Sequence, residues 1–304
     1  MKRLGVSVLF VLAALAAIGR DVAGQAAPPA QAPPGQAPGG RAGGAPAGGG
    51  GVAGKRPDLP AGEWAASSTV ARTKIRHEWV DIPDGAKKVH AWIEYPDGEA
   101  KAPVVVVMPY EVGVDDWTRA VADQLATEGF IAIATDLLTG FGPNGGNIES
   151  FKTPDASIRA TRTKVVPAEA MRRYLAAAAY GAKLPRANGK IGSVGFGLGG
   201  MYAFRFAAEA PMVDAAVVYY GQPPDDATLR KAKVPILAFY GEDDPIAQSV
   251  EATAATLKGA GKNFEYHTYP GASVDFAFIQ DGRNGPAIQD AWKRTIAFLK
   301  ERLQ

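Results

Sequence analysis

The chain has 304 residues, a formal net charge of +2 and no cysteine. That length suits one large domain or two small ones. The missing thiols exclude a disulfide framework, a cysteine-ligated metal and a lipidated N-terminal cysteine. Without a long Lys/Arg block, no nucleic-acid partner is expected.

Residues 1–24 read as a secretory signal: Met1-Lys2-Arg3, an apolar run, then Val22-Ala23-Gly24 as a small-residue cleavage site. The apolar run is short for a span, which needs about 20 residues. Export to a periplasmic or extracellular location is therefore expected, with no stable membrane span after cleavage. Residues 25–65 are rich in Gly, Pro and Ala and nearly free of large apolar residues. Such a segment cannot bury enough surface to offset its chain entropy, so it is expected to be a disordered tether. Residues 66–304 form the expected folded domain, and no internal repeat is visible.

Strands are predicted at 77–83, 88–96, 102–110, 130–138, 190–196, 214–221, 234–242 and 263–270. Four of them, VVVVM and its like, are near-continuous apolar runs, as parallel strands covered on both faces should be. Helical patterns fall at 116–129, 168–182, 198–210, 249–261 and 286–303. Strand then helix, repeated, implies right-handed crossovers and a doubly wound α/β sheet. The first two strands have no helix between them and are expected to form an antiparallel edge hairpin. Eight strands with that edge are the arrangement of the α/β-hydrolase fold. The segment 137–164 is long for a connection inside a compact domain and leaves the carboxyl edge of a strand. It is expected to be a lid or pocket wall.

Residues 189–200, GKIGSVGFGLGG, carry a strand into a glycine-rich turn and a helix. A nucleophile elbow is built this way, with a reactive side chain at the middle of G-x-S-x-G. Here the middle residue is Gly197. A dinucleotide fingerprint is the competing reading, but the strand is late in the chain and the only acid near position 215 is Asp214, which opens a strand. FYGEDDPIA places Asp244 after a late strand, as a catalytic acid or as a helix N-cap.

With VMPYEVGVDDW, GKIGSVGFGLGG, VDAAVVYYG, GEDDP and YPGASVDFAF quoted together, the chain from about residue 75 resembles the dienelactone hydrolase family. The resemblance implies hydrolysis of esters or lactones by a Cys or Ser, an Asp and a His, with a glutamate holding the resting thiol. Carried over, the acid falls on Asp244 and the glutamate on Glu111. The nucleophile position falls on Gly197 and the base position on Val274, so both are vacant. No cofactor and no metal are implied.

The histidines are His77, His90 and His267, all within predicted strands. Ser193 lies in the elbow strand, and Ser273 has no base beside it; a hydroxyl without an adjacent base is a weak nucleophile. The backbone amides of Leu198 and Val112 remain as candidate anion donors. Tyr110, Trp117, Phe141, Tyr219, Tyr220 and Phe276 are candidates to line an aromatic cavity, about half of them being expected to fill the core instead. Three readings follow. The first is an exported, catalytically degenerate family member binding a small acyl or carboxylate ligand or a partner protein. The second is a working hydrolase in which Glu111, facing the space at Gly197, activates water. The third is a passive scaffold on a tether.

Overall fold

The computed structural model describes residues 58–304. The expected signal, and the tether up to residue 57, lie outside the described residues. Eight strands form one sheet in the order β1-β2-β4-β3-β5-β6-β7-β8. They are β1 (Arg76–Asp84), β2 (Lys87–Tyr95), β3 (Ala102–Met108), β4 (Ile131–Thr135), β5 (Ala187–Phe196), β6 (Ala215–Tyr219), β7 (Ile236–Gly241) and β8 (Phe264–Tyr269). β1 pairs antiparallel with β2, and β2 antiparallel with β4. Every later pairing, from β4–β3 to β7–β8, is parallel. The chain therefore forms the expected α/β-hydrolase architecture.

Among the described residues eight α-helices accompany these strands: α1 (Glu63–Val70), α2 (Asp116–Thr127), α3 (Pro154–Lys164), α4 (Pro167–Gly181), α5 (Leu198–Glu209), α6 (Asp226–Leu229), α7 (Val250–Gly259) and α8 (Gly285–Leu303). β3, β4, β6 and β7 are buried along their whole length. Their unbroken apolar runs are what a two-sided cover demands.

One expectation needs correction. The tether does not reach residue 65. Leu59 and Ala61 are buried in the core, and α1 begins at Glu63. This segment is held by the 273–280 turn: Glu63 N–H donates to the Phe278 carbonyl at 2.9 Å and Gln280 Nε2 donates to the Pro60 carbonyl at 3.1 Å. Tertiary bonds, invisible in a Gly/Pro-rich sequence, order it. The long segment 137–164 contains α3. Thr153 caps α3 by accepting from Ala156 N–H, with Pro154 at the first helical position.

At the end of β5 the backbone leaves no room for side chains. A Cβ on Gly199 would overlap the Met108 carbonyl at the end of β3, and one on Gly195 would overlap the Gly199 carbonyl. Gly259, the last residue of α7, has nothing within 4 Å of such an atom. Gly199→Ala is thus expected to cost more than about 3 kcal/mol in denaturant unfolding or to prevent folding. Gly259→Ala is expected to be neutral or to stabilise by up to about 1 kcal/mol.

Candidate functional site

β5 ends at Phe196 and α5 starts at Leu198, so Gly197 alone makes the turn, at φ 54° and ψ −113°. This positive φ is the backbone an elbow needs, and glycine adopts it with little strain. The space above Gly197 is filled. A Cβ there would meet the Tyr110 ring at 2.7 and 2.8 Å. Tyr110 therefore does not line an open cavity; its ring stands where a nucleophile's side chain would begin.

Tyr110 belongs to an aromatic stack. It lies on Tyr220 with centroids 5.6 Å apart and an interplanar angle of 19°, meets Phe278 edge-on at 6.0 Å and packs at a tilt on Trp117 at 5.4 Å. Trp117 in turn meets Phe196 at 4.8 Å. Tyr220 holds φ +42°, a conformation that costs a non-glycine residue of order 1–3 kcal/mol. Burial pushes both phenols well above their ordinary range, so neither ionises at neutral pH.

Asp244 follows β7 and is 1% exposed. Its Oδ1 accepts from Ile246 N–H at 2.8 Å, so it caps the 3₁₀ turn that follows, while Oδ2 is buried without a hydrogen-bond partner. Desolvation raises its carboxyl to about 6. Both its negative charge and that of Asp275 act on the Tyr220 hydroxyl, which places the phenol among these carboxylates. Val274 is 39% exposed. Ser273 donates to Asp275 Oδ1 at 3.1 Å and accepts from Asn284 Nδ2 at 2.9 Å.

The remaining candidates divide between places. The Glu111 carboxylate accepts from Arg162 Nη2 at 3.2 Å, and its carbonyl accepts from Thr161 Oγ1 at 2.7 Å. The expectation that Glu111 faces the space at Gly197 is corrected: the Tyr110 ring covers that space, and Arg162 of α3 holds the carboxylate. Glu111, Arg162 and Leu198 line a small cleft of about 210 Å³. Val112 lines a different, larger cleft of about 380 Å³, so the two expected amide donors do not open into one pocket.

Tyr219 is fully buried with its hydroxyl 2.7 Å from Thr295 Oγ1, on the side covered by α8. Phe276 is fully buried against Tyr220 and Tyr269. Phe141 lies under the Arg173 guanidinium. Tyr219 and Phe276 thus fill the core rather than a cavity, and Phe141 is half-buried outside it. Ser193 is also fully buried. His77 stacks on Trp92 at 4.6 Å, His90 on Trp79 at 4.4 Å, and His267 meets Glu265 at 2.7 Å.

Sequence reading did not find Arg162 or Asp136. The Asp136 carboxylate, just after β4, accepts from the Leu138 and Ile148 amides at 2.8 and 3.0 Å and so folds the following loop back on itself. An acid directly after a buried strand and before a long Gly/Asn-rich segment is the signal that could have marked it.

The strand order and the glycine elbow define an α/β-hydrolase. The chain belongs to the dienelactone hydrolase family, whose profile matches residues 89–303. A protein of Saccharolobus solfataricus named "putative carboxymethylenebutenolidase" is 30% identical over 236 residues, covering 65% of this chain and 89% of the relative. A Bradyrhizobium protein named "probable 2-oxo-3-(5-oxofuran-2-ylidene)propanoate lactonase" is 28% identical, covering 76% of this chain and 96% of its own. A Klebsiella pneumoniae structure titled "putative dienelactone hydrolase" superposes with a TM-score of 0.67 at 23% identity, covering 75% of this chain and all of that one. This likeness is one of fold.

The Asp244 carboxyl carries a pH signature. Its folded value is raised, so the folded state holds a proton that the unfolded chain releases from its ordinary value of 3.8 upward. Its contribution therefore becomes less favourable as pH climbs from about 4 to about 6, and stays unfavourable above. Asparagine can keep the cap without the charge. Asp244→Asn is expected to raise stability at pH 8 by up to about 3 kcal/mol, with little change at pH 3.5, in denaturant titrations at both values.

Proposed function

We propose that this protein is an exported, non-catalytic member of the dienelactone hydrolase family that binds a small ligand or a partner. The observation that carries the reading is the Tyr110 ring standing over Gly197, where the attacking side chain of a working relative would begin. Three further features support it. Val274 occupies the base position, Asp244 Oδ2 is buried without a donor, and no histidine is paired with a serine among the described residues. A nucleophile and its base act as a unit, so losing both leaves only the contributions of binding and oxyanion donors. Here the aromatic stack also fills the volume through which those donors would act.

Export rests on the charged start, the apolar run and the small residues at 22–24. No helix among the described residues is long and apolar enough to cross a membrane. The competing reading, water activated by Glu111, is disfavoured by the Arg162 ion pair at 3.2 Å.

With purified full chain and p-nitrophenyl acetate, kcat/KM is expected below about 1 M⁻¹ s⁻¹, against the roughly 10⁴–10⁸ of working enzymes. A fluorophosphonate probe is expected to label no residue. Turnover in the working range that disappears in Glu111→Gln would overturn the proposal in favour of the activated-water hydrolase.

A further inference from the structure

The volume at the elbow is occupied, but the larger cleft is open, and it lies on the other side of the 111–114 turn. Its walls come from three separate parts of the chain: Trp79 on β1, Val114 and Arg119 around the start of α2, and Ile148, Phe151 and Lys152 before α3. Gly197, Leu198, Tyr110 and Asp244 are not among its lining residues. At about 380 Å³ it falls within the size of small-molecule sites.

Two observations separate this cleft from an accidental crevice. The first is that its floor is fixed. The Trp79 indole is stacked on His90 at 4.4 Å and 11°, and braced edge-on by Trp92 at 5.2 Å. His90 is itself held by Asp81, with Nδ1 3.0 Å from Oδ1. An aromatic plate held in place this way binds a second ring without first losing rotamer freedom.

The second is that charged side chains are committed to shaping the outer wall. The Asp136 carboxylate takes the Ile148 amide, Arg173 Nη1 donates to the Leu137 carbonyl at 2.8 Å, and Lys164 Nζ donates to the Phe141 carbonyl at 2.8 Å. A long connection that would otherwise fluctuate is tied into one shape.

Charge then selects the ligand. Within the cleft Arg119 is already paired with Asp116, and Asp115 caps α2 by accepting from Thr118 N–H at 2.9 Å. Glu149 lies 3.7 Å from His90 Nε2, too far for a hydrogen bond, and so stays an unneutralised acid on the wall. Lys152 has no ion-pair partner among the described residues, and Arg119 Nε is a buried donor without an acceptor. Lys152 and Arg119 Nε are therefore unspent donors beside the Trp79 plate, with Glu149 the acid on the same wall that has no hydrogen-bonded cation.

We propose that this cleft is a binding site for a small aromatic carboxylate, with the ring on Trp79 and Phe151 and the carboxylate at Lys152. The site is independent of the elbow, so it stands whether or not the elbow turns over esters.

Benzoate and phenylacetate are the probes, titrated into the full chain by calorimetry and ligand-observed NMR, with benzamide and benzyl alcohol as uncharged counterparts. Ligands of this size are expected to bind with Kd of about 1 mM. Trp79→Ala is expected to weaken benzoate about tenfold, as loss of a stacking partner would. Lys152→Glu, an exposed substitution that leaves the core untouched, is expected to weaken benzoate about fivefold or more while leaving benzyl alcohol unchanged. Arg162→Ala, in the smaller cleft, is expected to change neither.

Several results would overturn the assignment. One is no saturable binding of any probe up to about ten times that Kd. Another is benzamide binding as well as benzoate. A third is benzoate affinity that survives Lys152→Glu in a folded protein but falls in Arg162→Ala, which would move the site to the smaller cleft.

Discussion

Strand β5, the elbow and helix α5 can sit against β3 only because backbone meets backbone there. Gly195 touches the Gly199 carbonyl, and Gly199 touches the carbonyl of Met108. A methyl group at either place would push α5 away from the sheet, because neither carbonyl belongs to a flexible side chain. This contact fixes where α5 begins and brings Gly197 under the loop after β3. From it follows the meeting of Gly197 with Tyr110, since Tyr110 is only two residues beyond Met108. The geometry that presents a nucleophile in an α/β-hydrolase here presents an aromatic ring to a bare backbone.

The polar groups around that ring have an energetic cost. Asp244 Oδ2 is buried without a hydrogen-bond partner, and the buried Tyr110 and Tyr220 hydroxyls face each other. Leaving a buried group unpaired costs about 1–3 kcal/mol. Burial of the aromatic surfaces offsets this, at roughly 25 cal/mol per Å² removed from water. Asp244 is partly compensated by capping the turn after β7. Its carboxyl thus has a local structural use that does not depend on an imidazole.

Much of the architecture was legible because the apolar runs are long and the turns are marked by glycine. VVVVM, IAIAT and AAVVY are strands that hardly anything else could be. The missing side chain at Gly197 was likewise legible, because glycine is visible in a sequence. What fills the space beside it was not. Tyr110 reads as one more aromatic near a strand end, and only the crossing of β3 with the elbow turns it toward Gly197. Tyr219 and Tyr220 are adjacent in sequence yet part company, one toward Thr295 under α8 and the other onto Tyr110. No periodicity separates them, since a strand end with φ +42° breaks the alternation. Helix α1 was missed because its low amphipathic contrast gives no stripe to read, and its order comes from residues more than two hundred positions away, at Phe278 and Gln280.

That last junction has a mechanical meaning. Pro60 and Glu63 are stitched to the turn that carries Phe278, and Phe278 rests against Tyr110 and Trp117. Tension at Pro60 therefore reaches the aromatic stack through two hydrogen bonds and two ring contacts. A pull at Pro60 would thus bear on Tyr110, the ring that covers the elbow.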